Sequence, residues 1–194
     1  MKKVFLIHGF GGVPNGGWLP WLMVKLGKEN IYACALPMLN ANEPKVDEWV
    51  KMINDIIGEG SKENIYLVGH SLGAPAVLRY LESLNETEKI GGVVLISGLI
   101  EPLDTDNLNS ELRKIDNFVI PEINFEKIKN IPQKSIVIHG TQDTVVPFSH
   151  AEKIAKGIGC QIVKVEGGDH FSQKTEPICY ELPEALEVIV NMVK

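Results

Sequence analysis

The amino-acid sequence predicts an α/β protein, a three-layer α/β/α sandwich built on a mostly parallel sheet of about six strands. Three observations point there. Short β-rich runs recur along the 194 residues. Most are nearly continuous apolar stretches, as strands covered on both faces require. Segments with helical spacing stand between them, and strands that alternate with helices pair in parallel through right-handed crossovers.

The first run is VFLIHG from Val4, which leads into the glycine-rich HGFGG. IYACAL from Ile31 is the second. Val46, Trp49, Val50, Ile53 and Ile57 then keep the i, i+3, i+4, i+7 spacing of an amphipathic helix. IYLVGH from Ile65 is the third run, and it hands over to a helix across Leu72 to Leu84. GVVLIS from Gly92 is the fourth. The irregular stretch 98–134 follows, with a short helical segment around Ser110 to Asn117. It reads as a cap-like insertion, too short for a second domain, so residues 1–194 are expected to form one domain. SIVIHG from Ser135, the helix SHAEKIAKGIG, QIVKVEG from Gln161 and a helix over Glu181 to Val193 complete the pattern.

Composition excludes several functions. The net charge is −6, acids and bases are interspersed, and no basic stripe offers itself to phosphates, so no nucleic-acid partner is expected. The apolar run Val4 to Ile7 is too short for the core of a signal peptide, and His8 and glycines interrupt it. No stretch approaches the ~18 apolar residues of a membrane span. A cytoplasmic protein without a membrane partner is expected. Cys34, Cys160 and Cys179 are odd in number and form no CxxC, against a disulfide framework or a zinc cluster. Cys34 lies in an apolar run and reads as a buried thiol. HGFGG lacks the GxGxxG spacing, and no acid ends the next strand, against a dinucleotide site.

The stretch IYLVGHSLGAPAV carries the chemistry. Gly69, Ser71 and Gly73 have the G-x-S-x-G spacing, with a strand before and a helix after. A serine on so sharp a turn is pushed out beyond the carboxyl end of its strand, where open α/β sheets bind ligands. Its neighbours two residues away must be small, because helix and strand cross closely. Pro75 suits the first turn of the following helix. A serine hydroxyl needs a base. His8 and His70 lie near the bend but are fixed in backbone turns. His139 ends a strand, and His150 reads as a surface residue of a helix. His170, in EGGDHF, sits in a loop that can lean over the sheet edge and is the chosen base. Asp143, in HGTQDTVVP, is the chosen orienting acid, with Asp169, Glu101 and Asp104 as rivals. The order Ser71, Asp143, His170 is the one this arrangement demands. An oxyanion hole would use the Leu72 N–H and one from HGFGG, Phe10 first and Gly11 second.

With VFLIHGFGG, GHSLGA, HGTQDTVVP and GGDHF in place, the chain resembles the α/β-hydrolase superfamily. Within it, the chain resembles the small serine hydrolases of the retinoblastoma-binding protein 9/YdeN type. The resemblance spans nearly the whole chain. It implies a minimal α/β-hydrolase fold with no large cap, in which Ser71 is the nucleophile, Asp143 the acid and His170 the base. One departure is the acid in Gly168-Asp169-His170, where many relatives read GH. The implied activity is cleavage of small carboxylic esters through an acyl-enzyme, with no metal or organic cofactor and a small-molecule acyl substrate as the partner. A peptidase or amidase on the same residues, or a protein-interaction module with vestigial activity, is the alternative; nothing in the sequence supports a specific protein partner. Leu99, Phe118, Ile120, Ile123 and Phe125 are candidates for the entrance of the site, with core packing as their competing role.

Overall fold

The computed structural model describes residues 1–104, 110–175 and 177–194. Six strands form one sheet: β1 (Lys3–Ile7), β2 (Tyr32–Ala35), β3 (Lys62–His70), β4 (Ile90–Ile96), β5 (Ser135–Gly140) and β6 (Gln161–Val165). Their order is β2-β1-β3-β4-β5-β6, and all five pairings are parallel. Strand side chains alternate between two apolar layers, as a pleated strand requires. Phe5, Ile7, Leu67, Val93 and Leu95 face one core, and Val4, Leu6, Val68, Val94 and Ile96 face the other. The sheet is therefore covered on both faces. The first layer is closed by α2 (Val46–Ile57), α3 (Gly73–Ser83) and α5 (Phe148–Ile158), the second by α1 (Leu19–Lys28) and α6 (Pro183–Val193). Each fully buried Leu, Ile, Val or Phe stabilises this arrangement by about 1.5–3 kcal/mol relative to exposure.

Helix α1 is absent from the sequence reading. Its LPWLMVKLGK places Pro20 and Gly27 near its ends and offers neither an acidic first turn nor a side-chain cap. Burial of Leu19, Leu22 and Leu26 against the sheet holds it instead. The strand runs match, but β2 is an edge strand with only β1 beside it. Cys34 is in consequence half-buried, not the buried thiol expected.

The insertion packs on the first core layer. Its Ser110–Phe118 segment is a 3₁₀ helix, followed by the one-turn α4 (Phe125–Ile128). Phe118 is fully buried, with its ring edge-on to Trp49 at 5.2 Å between centroids. Asn117 reaches the start of α2, where its Oδ1 accepts from the Val46 N–H at 2.8 Å. That supplies the cap that Lys45 does not. Arg79 on α3 donates from Nε to the Phe118 carbonyl at 2.9 Å and also to the Pro121 carbonyl.

Besides His170, four histidines sit inside the fold, none more than 9% exposed: His8, His70, His139 and His150. His150 corrects the expectation of a surface residue. It lies on the inner face of α5, and its Nδ1 accepts from the Ile100 N–H at 3.1 Å. Burial lowers the pKa of all four from the ordinary 6.5, in His70 to about 3. They are neutral in the folded protein and take up protons on unfolding once the pH is below their ordinary value. The unfolded state then binds more protons, so stability falls as the pH drops through that value and keeps falling toward the folded-state pKa. The melting temperature is expected to decline between about pH 7 and pH 5, each such histidine contributing up to about 1.4 kcal/mol per pH unit. A melting temperature that stays flat across that interval would show that the four rings are not kept neutral by burial.

Candidate active site

The bend after β3 is built by close approach. Ser71 has φ of +52°, a left-handed conformation that a non-glycine residue rarely adopts. It begins from the sheet, with its N–H donating to the Ile96 carbonyl at 2.8 Å. A Cβ on Gly69 would collide with the Gly73 carbonyl, and a Cβ on Gly73 with the Ile7 carbonyl. The two glycines let α3 leave the sheet directly behind the serine. Gly9 does the same on the other side, where a Cβ would stand 2.9 Å from the Ser71 Cβ.

Three strand ends converge on Ser71. His170, in the loop after β6, has its Nε2 2.9 Å from the Ser71 Oγ. Its Nδ1 lies 2.9 Å and 3.1 Å from the two carboxylate oxygens of Asp143, in the loop after β5. An ionised carboxylate only accepts, so Nδ1 carries the proton and Nε2 faces the Ser71 hydroxyl as an acceptor. The Asp143 side chain is fully buried. Burial by itself would raise its pKa. The bond and charge of His170, with the Val146 and Val145 N–H groups at 2.8 Å and 2.9 Å, act the other way and hold it below the ordinary carboxylate value. His139 adds a ring nitrogen 3.4 Å from the same carboxylate, while donating to the Val146 carbonyl at 2.9 Å.

The remaining candidates are sorted by their partners. Asp169 does not face its neighbour's ring: its Oδ1 accepts from the N–H and the hydroxyl of Thr144, each at 2.8 Å. It ties the His170 loop to the Asp143 loop. Glu101 is paired with Lys153 at 2.6 Å, and Asp104 is exposed within the insertion. His8 turns its Nδ1 to the Gly9 carbonyl, and the His70 Nε2 meets the His170 carbonyl at 2.8 Å. In the glycine-rich loop the Gly11 N–H is committed to the Ala41 carbonyl at 2.7 Å. Among the described residues, neither the Phe10 nor the Leu72 N–H has a protein acceptor.

A cavity of about 200 Å³ opens over Ser71 and His170. Leu99 lines it, but Phe118 and Ile123 lie in the core, Phe125 packs against that core, and Ile120 is 56% exposed. Leu103, Leu112, Ile115, Val145 and Trp18 form walls that the sequence reading did not select. The spacing of Leu112 and Ile115 was a usable signal; nothing local marked Trp18. Among the described residues, no cluster of side chains is arranged to hold a metal, and no helix is long and apolar enough to cross a membrane.

Comparison with known proteins agrees with this architecture. The family model for serine hydrolases matches residues 4–185. The protein YdeN of Bacillus subtilis (strain 168) is 32% identical over 185 residues, covering 93% of this chain and 94% of its own. The serine hydrolase RBBP9 of Rattus norvegicus is 26% identical over 196 residues, covering 98% and 95%. The crystal structure of the B. subtilis ydeN gene product superposes with a TM-score of 0.89 over 99% of this chain and 98% of that one. Est1E of Butyrivibrio proteoclasticus with bound ferulic acid shares the fold, with a TM-score of 0.71 at 16% identity over 100% of this chain and 87% of its own. The chain belongs to the serine hydrolase family and is built on the α/β-hydrolase fold.

Proposed function

We propose that the chain hydrolyses small carboxylic esters through an acyl-enzyme on Ser71. The observation that carries this reading is the unbroken row from the Ser71 Oγ through the His170 imidazole to the Asp143 carboxylate, each step at 2.9 Å. His170 takes the serine proton as Oγ attacks the ester carbonyl, forming a tetrahedral adduct. Asp143 keeps the proton on Nδ1 and stabilises the imidazolium that forms. His170 then returns the proton to the leaving alcohol. Water repeats the sequence against the acyl-enzyme and releases the acid.

The developing oxyanion needs donors that are free of other work. The Leu72 and Phe10 N–H groups meet that condition, and the commitment of Gly11 to Ala41 favours Phe10 over Gly11. An apolar cavity of about 200 Å³ suits a short acyl chain or a compact aryl alcohol. A serine at the bend, where an aspartate would serve other hydrolytic chemistry, fits esters.

Incubation with a fluorophosphonate probe is expected to add a single adduct to the intact mass, mapped to Ser71 and lost in Ser71→Ala. A folded wild-type protein that takes no adduct and cleaves neither acetyl nor butyryl aryl esters would overturn the reading. Asp143→Asn is expected to lower kcat for such an ester by on the order of 10³- to 10⁴-fold, because the amide no longer fixes the His170 tautomer. A loss of less than about tenfold would mean that another acid orients the base.

A further inference from the structure

We propose that His70 and Trp18 are positioning residues, a two-donor clamp that fixes the backbone around His170 and so sets the distance from its imidazole to Ser71. The inference rests on the hydrolase reading above. Ser71 and His170 are separated by 99 positions in the chain, yet their side chains must meet at 2.9 Å. Something has to hold the two backbones together at that point. His70 immediately precedes the serine, and its Nε2–H donates to the carbonyl of His170 itself at 2.8 Å. The bond joins the residue next to the nucleophile to the residue that carries the base.

The next carbonyl is held as well. Trp18, just before α1, donates from its indole N–H to the Phe171 carbonyl at 3.0 Å. Phe171 stands at φ of +54°, in the left-handed region. A non-glycine residue pays about 1–2 kcal/mol there, so the turn needs an external constraint. Trp18 and His70 also brace each other, edge to face with 5.7 Å between ring centroids. Two consecutive carbonyls therefore meet two buried ring donors from different elements.

The chemistry of His70 fits this use. Burial, with His170 beside it, keeps the ring uncharged down to about pH 3. It places no positive charge next to the base, while its Nε2–H remains a donor. Its ring lies 5.3 Å from the His170 ring without bonding to it, so it shares no proton with the base. Both donors serve carbonyls buried with their residues, and that alone would be a structural role. The geometry adds a kinetic one, because a small rotation of the His170 backbone moves Nε2 off Ser71.

The test compares His70→Phe, which keeps a ring but has no donor, with His70→Gln, whose amide N–H reaches the same place. Fluorophosphonate labelling rates and kcat for p-nitrophenyl acetate are read on each, with melting temperature and near-UV circular dichroism to establish the fold. His70→Phe is expected to lower the labelling rate and kcat by on the order of 10- to 100-fold, with KM changed by less than about twofold. His70→Gln is expected to recover most of that loss. If His70→Phe does not fold, Trp18→Phe removes the second donor while keeping an aromatic wall to the cavity, and it is expected to lower the labelling rate and kcat. Equal rates in wild type and the folded donor-less variant would overturn the clamp, and so would a His70→Gln as impaired as His70→Phe. A wild-type protein that resists the probe would overturn the hydrolase reading instead, so the two failures are separable.

Discussion

The architecture turns on one close contact, where the backbone of Gly73 at the start of α3 passes the carbonyl of Ile7 at the end of β1. No side chain fits between them. The contact brings α3 hard against the sheet and forces the chain through Ser71 at φ of +52°. A left-handed serine costs stability, and buried apolar groups offset it. Eight of the eleven α3 residues are buried, from Gly73 to Leu81. The helix is anchored along its length, so the strain stays at the bend and the hydroxyl stays out of the core. The loops after β1, β5 and β6 then need only reach the same sheet edge to surround it.

The electrostatics follow the same economy. A carboxylate as buried as Asp143 is costly unless it is bonded. Here two backbone N–H groups and the His170 ring bond it, and the sum keeps it ionised. The surrounding histidines contribute no charge of their own. His139 and His70 are buried and neutral, and each spends a ring nitrogen on a backbone carbonyl. The charge of Asp143 therefore faces the His170 imidazole at 2.9 Å, with the neutral His139 ring beyond it at 3.4 Å. Asp169 fits the same plan from outside: by binding Thr144 twice it ties together the loops that carry Asp143 and His170.

What the sequence disclosed and what it concealed divide along physical lines. Gly69 and Gly73 were legible because steric exclusion leaves glycine no substitute, and the strands because burial on both faces demands continuous apolar runs. Ser71, Asp143 and His170 were selected from their positions after three strands, and they lie within hydrogen-bond reach of one another. Helix α1 carries the i, i+3, i+4, i+7 spacing in Leu19, Leu22, Met23 and Leu26 but no capping side chain to mark its start, and its stability comes from burying the three leucines. His150 looked exposed because its polar side chain hides a tertiary partner, the Ile100 N–H, far away in the chain. Trp18 and His70 escaped notice as a pair for the same reason: their acceptors are carbonyls 153 and 100 positions away in the chain.

Part of the cavity wall comes from a different source than Ser71, Asp143 and His170. Ser71, Asp143 and His170 sit directly after strands whose register is fixed by the parallel ladder, from Ile7 opposite Gly69 to Gly140 opposite Val165. Leu103, Leu112 and Ile115 come from the insertion, which is fastened to the start of α2 by Asn117 and to the body of α3 by Arg79. The placement of Ser71, Asp143 and His170 is therefore set by the sheet, where a one-residue slip would turn every side chain to the wrong face. Part of the cavity wall is set by a segment that the sheet does not constrain. A motif read from strand ends can place these three side chains for this reason, and it leaves the residues that wall the cavity over Ser71 unmarked.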